Sequence, residues 1–312
     1  MVKFQNDPEL PRKVRAVSCH VSSWMDLYSL ARFFKKMRGW VFRGHCKAEW
    51  SLQTKLERNY SEVNLNQESA AIRNFENLAG GMIKRDRSPI SLLSYMQHYG
   101  TPTRLLDFTK SFQVALYFAF SDLESNDDHA IWIINRHEFM EKSKALAHQL
   151  SDETYSQIEN GDYCGDPVVL EQGLTDSIHF DKSFRRDQQR KVANAILSGR
   201  FGDERGVLPL EMKQPFNKRL KKQQGLFLMP MSLGPFMENL KADWGSDDWR
   251  LKPIRTVARL KEKISGNGDL VMVKLVIKDC VKKDVHRYLK EKKMTATKVY
   301  PDLSGAAQAV HY

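Results

Sequence analysis

The stretch WVFRG, residues 40–44, ends an apolar run on an arginine and a glycine. A guanidinium at a strand end can hold a phosphate or carboxylate through two parallel hydrogen bonds. The adjacent Gly44 lets a ligand approach the backbone closely. Arg43 could equally be tied up in an ion pair with an aspartate or glutamate. A second concentration of polar groups is HYGTPTRLLDFT, residues 98–109, with His98, Thr101, Thr103, Arg104, Asp107 and Thr109 in twelve positions. Thr109 opens an apolar helix, so its hydroxyl could cap that helix or orient a catalytic group or a ribose. Asp107 could pair with Arg43 or Arg104. His98, at a helix end, suits a structural or a catalytic role. In RLKKQQGLFL, residues 219–228, Gln223 or Gln224 could hydrogen-bond a ribose or an amide, or simply turn the chain into a strand.

Other chemistries lack their signatures. There is no Walker A loop, no GxSxG elbow and no HExxH helix. SGNGD, residues 265–269, reads as a hairpin turn. Cys19, Cys46, Cys164 and Cys280 show no zinc-ligand spacing and read as free thiols, so no metal centre is expected.

The elements that must position these groups follow from pattern. SSWMDLYSLARFFKKM, residues 22–37, reads as an amphipathic helix with Ser23 as cap and Asp26 completing a capping box. Helices are expected over 66–82, stopped by Gly80-Gly81, and over 88–100, with Ser88 as cap, Pro89 in the first turn and Gly100 as the stop. TRLLDFT reads as a short strand or turn leading into a helix apolar nearly all round, hence buried. Strands are expected at 129–136, 225–231 and 270–278, and helices at 137–150 and 281–293. Residues 136–215 carry few strong patterns and read as an insertion or mobile lobe within one domain spanning 1–312. Residues 241–253 read as an exposed loop. The fold class is α+β, with a mixed or split antiparallel sheet carrying helices.

Charge points to a partner class. The chain has 49 Lys plus Arg against 38 Asp plus Glu, a net charge of +11, which favours polyanions. The clusters fall at 12–15, at 182–191 with Arg185, Arg186, Arg190 and Lys191, at 218–222 with Lys221 and Lys222, and at 281–293. Each alone could be a solvated helix face; together they favour a groove for RNA or DNA. No apolar run approaches the length of a membrane span, and the first residues lack a signal-peptide core, so a cytoplasmic protein without membrane attachment is expected.

Phe42-Arg43-Gly44, with Trp50-Ser51-Leu52 and Arg58, resembles the first block of the FRG domain family. QHYGTPTRLLDFTKSFQVALYFA, residues 97–119, is similar to its second block, 217–227 to its third and YPDLSGAA, residues 300–307, to its closing segment. The order of these blocks is also similar to ADP-ribosyltransferases of the Arg-Ser-Glu type. By that likeness Arg43 would bind the NAD pyrophosphate, with His98 and Arg104 as further cofactor contacts. The Gly44 backbone would face the nicotinamide amide, and Thr109 would orient the group that binds the nicotinamide ribose. Gln223 stands where such enzymes carry a glutamate. It can hydrogen-bond the ribose 2′-hydroxyl but cannot offset developing positive charge, so either an acid such as Asp107 or Glu171 supplies that charge, or activity is weak, or the pocket only binds. Arg43, Thr109, Asp107 and Gln223 are expected to converge on one pocket.

The resemblance thus implies an enzyme that transfers ADP-ribose from NAD to a macromolecule, with nucleic acid favoured by the charge. It implies a toxin or defence effector, held by an inhibitory antitoxin or regulatory partner. A second reading is a non-enzymatic nucleic-acid or nucleotide-binding module in which Arg43 clamps phosphate, and a third makes the FRG blocks purely structural.

Overall fold

The computed structural model describes residues 15–309 except 84–86, 123, 140–142, 144, 148, 151–181, 213–217, 243–250 and 267–269. In chain order the elements of the first half are β1 (Ala16–Val21), α1 (Trp24–Lys36), β2 (Trp40–His45), α2 (Lys55–Asn59), α3 (Leu65–Ala79), α4 (Pro89–His98), β3 (Leu106–Thr109), α5 (Phe112–Ala119) and β4 (His129–Asn135). Later strands are β5 (Val207–Leu210), β6 (Gly225–Pro230), β7 (Lys252–Ile254) and β8 (Met272–Ile277), separated by helices that include Lys182–Leu197, Lys218–Lys222, Val257–Ser265 and Lys282–Glu291. Among the described residues no helix is long and apolar enough to cross a membrane. The chain is α+β and forms two compact units, each assembled from separate segments.

The first unit takes residues 1–50, 109–136 and 247–312. Its strands run in the order β2–β4–β8–β1–β7. β2 pairs with β4 and β4 with β8 antiparallel, whereas β1 runs parallel to both β8 and β7. The sheet is therefore mixed, because β1 and its partners enter from the same end. At its other edge Thr109, the last residue of β3, stands opposite Phe42. Strand side chains alternate between faces. On one face Val17, Cys19, Val21, Phe42, Ile131, Ile133, Val273, Leu275 and Ile277 build an apolar core with α1, α5 and the helices Val257–Ser265 and Lys282–Glu291. α1 supplies Leu27, Leu30, Ala31 and Phe34, spaced three and four apart as an inward helical stripe requires. Its Ser23 sits at the cap position but makes no side-chain cap, so the expected Ser23–Asp26 box does not form.

The second unit takes residues 51–108 and 137–246. Its strand order is β5–β6–β3, with β5 and β6 antiparallel. Capping boxes form here, Thr54 with Glu57 at α2 and Asn64 with Gln67 at α3. α4 is buried almost all round, with Ile90, Leu92, Leu93 and Met96 in the core alongside Ile72, Val192, Ile196, Leu208, Phe227 and Met229. Val192 and Ile196 come from the stretch expected to be an insertion, so its described part is core-forming.

Two loop expectations are corrected. SGNGD follows a helix where a hairpin needs a strand: Ser265 ends that helix and Gly266 caps it, while residues 267–269 lie outside the described residues. The expected loop 241–253 ends in a strand, since Lys252 and Pro253 belong to β7 and pair with Val17 and Ser18; residues 243–250 of it lie outside the described residues.

Candidate functional site

The Phe-Arg-Gly stretch is explained residue by residue in the first unit. Phe42 faces the core and lies 5.2 Å from the Phe34 ring and 5.4 Å from the Phe112 ring, edge to face. Burying such a ring contributes about 1.5–3 kcal/mol. Strand alternation then turns Arg43 to the opposite face, where it stays partly exposed. Its Nε donates to Nε2 of His45 at 3.1 Å. As the acceptor, that nitrogen carries no proton, so His45 is neutral in this contact. His45 is 7% exposed and stacks edge-on against the half-exposed Trp50, 6.0 Å away. The guanidinium plane is thus fixed by a neutral ring.

Gly44 faces the core side again. A Cβ there would overlap the Ala115 carbonyl and lie 2.6 Å from the Ala119 nitrogen of α5. The glycine is therefore required by close packing of strand on helix, and the space its side chain would fill is occupied by α5.

Thr109 is 4% exposed. It does not cap the following helix. Its Oγ1 accepts from Ser111 N at 3.0 Å, and Ser111 is the cap, accepting from Val114 N. The cap expectation passes to Ser111, two residues on. Thr109 itself ends a strand beside Phe42, so its backbone neighbours the Arg43 strand.

The remaining candidates belong to the second unit. Arg104 is 1% exposed. Its Nε and Nη2 grip the two carboxylate oxygens of buried Glu68, and its Nη1 donates to the carbonyls of Pro230 and Met231. These partners engage every nitrogen of the guanidinium, so Arg104 is corrected from a cofactor contact to an internal tie between α3 and the end of β6. Asp107 is exposed and accepts from Gln97 Nε2 at 2.8 Å. The same Gln97 accepts from Thr103 Oγ1 at 2.6 Å. His98 ends α4 with its ring 4.9 Å from that of Tyr99. Gln223 is partly exposed, just after the helix Lys218–Lys222, and its nitrogen donates to the Arg219 carbonyl. Gln224 takes φ 50°, the left-handed turn into β6. Lys191, Lys221 and Lys222 are exposed, while Arg190 donates to Ser88 Oγ at 3.3 Å. The side chains of Arg185 and Arg186, and all of Glu171, lie outside the described residues.

Two features of the first unit were not expected. On the face that carries Arg43, Trp132 of β4 stands opposite Arg43 and Lys274 of β8 opposite Trp132. The Lys274 ammonium lies 4.8 Å from the Trp132 ring centre. Burial holds the Lys274 amine below the usual lysine range. The signal was available: a lysine in the middle of MVKLVI interrupts an apolar strand. Elsewhere His129, fully buried against the Phe120 ring at 4.0 Å, meets Asp279 through Nε2 at 3.4 Å. Neighbouring His286 is held below the usual histidine range, first by burial and then by Lys282.

Residues 38–128 match the FRG domain family. The matched span holds Phe42-Arg43-Gly44 and the whole of 97–119, and it stops short of 217–227 and 300–307. Searches of curated proteins and of solved structures each gave no match.

Proposed function

We propose, with the FRG-domain likeness of residues 38–128 as the premise, that the protein transfers ADP-ribose from NAD to a nucleic-acid acceptor. The observation that carries this reading is Arg43. It is a partly exposed guanidinium on a sheet face, its plane held by neutral His45, on the strand beside Thr109. A fixed guanidinium suits a diphosphate, whose oxygens can take paired N–H donors. Bond breaking at the nicotinamide ribose needs mainly positioning and electrostatics, which a rigid sheet supplies. The net charge of +11 and the exposed Lys191, Lys221 and Lys222 support nucleic acid over protein as acceptor. A transferase of this kind would act as a toxin or defence effector and would need an inhibitory partner.

A second reading has its own observation. Gln223 is neutral where the transferases carry a glutamate, which favours a nucleotide- or nucleic-acid-binding module in which Arg43 clamps phosphate without chemistry.

The test incubates the protein with NAD labelled in its adenylate half, together with RNA, DNA and lysate protein in separate pools. Label on RNA or DNA, lost in Arg43→Lys, is the expected result. Label on protein alone overturns the nucleic-acid acceptor. NAD binding without label in any pool establishes the module.

A further inference from the structure

Four side chains stand in a transverse row on the non-core face of the first unit's sheet. In register across neighbouring strands they are Arg43 on β2, Trp132 on β4, Lys274 on β8 and Ser18 on β1. The opposite face is filled by the helix-packed core, and this row faces away from it. All four offer hydrogen-bond donors, and none carries negative charge. Neighbouring strands are about 4.8 Å apart, so Arg43 and Lys274, two strands apart, start about 10 Å from each other. Long side chains from both can reach a small group lying above Trp132.

Two members of the row are short of acceptors. Among the described residues no carboxylate pairs with Lys274, whose ammonium lies over the Trp132 ring. The Trp132 indole nitrogen is buried, in a residue 3% exposed, and it has no hydrogen-bond acceptor among the described residues. A buried donor left unmatched is unfavourable. Partial burial likewise disfavours the charged form of the Lys274 amine. One ligand class relieves both: an acceptor-only group with at least two negative charges.

We propose that this row is a diphosphate-binding strip, with Arg43 and Lys274 gripping one phosphoanhydride group from its two sides and the Trp132 N–H donating to it. The inference rests on the reading of Arg43 as a phosphate ligand and adds Lys274, Trp132 and Ser18 to it. In the transferase the group is the pyrophosphate of NAD, and Lys274 is then a cofactor-binding residue outside the matched FRG span. Anion binding favours the charged amine, so affinity falls as pH rises toward the alkaline side, earlier than for an ordinary lysine.

The test titrates inorganic pyrophosphate, succinate and NAD into the parent protein, Lys274→Met, Lys274→Arg and Trp132→Phe by calorimetry at low salt. Pyrophosphate is expected to bind the parent and to weaken about tenfold or more in Lys274→Met, the loss of one charge-assisted contact. Lys274→Arg recovers most of it, and Trp132→Phe, which removes only the N–H, weakens it severalfold. The inference is overturned if Lys274→Met binds pyrophosphate like the parent, if the parent binds none, or if succinate binds as tightly. NAD bound and transferred equally well by Lys274→Met overturns the strip and leaves the transferase standing. Lys274-dependent pyrophosphate binding with no NAD turnover does the reverse. Should Lys274→Met not fold, acetic anhydride labelling of the parent decides: pyrophosphate is expected to protect Lys274, and undiminished labelling overturns the strip.

Discussion

Two arginines, one in each compact unit, show how differently the same side chain can be used. Arg104 is sealed inside the second unit, with both oxygens of Glu68 on one side of its fork and two backbone carbonyls on the other. Arg43, in the first unit, is partly exposed, and its Nε is steadied by a neutral histidine. Both lie in segments that match the FRG family. A charge that is matched by an internal carboxylate and out of water holds a fold together. A charge that stays partly exposed on a sheet face can still be reached from outside.

The sharpest way to break this contrast is to remove the buried charge. Arg104→Met leaves the buried Glu68 carboxyl without its partner and should cost about 3–5 kcal/mol in urea unfolding. Glu68→Gln should act in the same direction. Gly44→Ala comes next, since the new Cβ meets α5 backbone that no rotamer change can clear. We expect a loss of about 3 kcal/mol, measured by the same unfolding curves. Arg43→Lys keeps the charge at a partly exposed site and should cost less than Arg104→Met in the same unfolding curves. Phosphate binding, by contrast, should fall steeply. A melting point for Arg43→Lys depressed as far as that of Arg104→Met would erase the distinction.

The smallest expected effect concerns acid. His286 has its pKa lowered by burial, so below the ordinary histidine value the unfolded chain binds more protons than the folded one. Stability should therefore decline as pH falls below about 6.5. His286→Gln, which cannot take up the proton, should flatten that decline in thermal melts between pH 5 and 7.5. An identical slope in parent and variant would remove His286 as the cause.

Much of the fold was legible because its signals are local. Helix α1, helix α4 and strands β4, β6 and β8 follow from periodicity and from Pro, Gly and apolar runs. β1 escaped notice because AVSCHV is short and gains its meaning only beside β8, more than 250 residues later. β7, three residues long, has the same cause. Caps were misplaced for a related reason. Ser23 and Thr109 carry suitable hydroxyls, yet Ser111 takes the α5 cap, a choice made by backbone geometry. At the site, Arg43 was legible from its motif. Arg104 was equally visible, and its burial was not, because Glu68 lies 36 residues away. Trp132 and Lys274 join Arg43 only once strand order is known, which no single segment encodes.

The interleaving of the first unit also sets a timetable. β1 and β2 are made early, but β8 is the strand that stands between β4 and β1, and it consists of residues 272–277. Until those residues have left the ribosome, β1 lacks the strand that joins it to β4, and the row from Arg43 to Ser18 lacks its lysine. Contacts that span most of a chain form slowly, because a long loop must close first. A nascent chain or a fragment lacking residues 272–277 can therefore display the Phe-Arg-Gly motif without having built the surface around it.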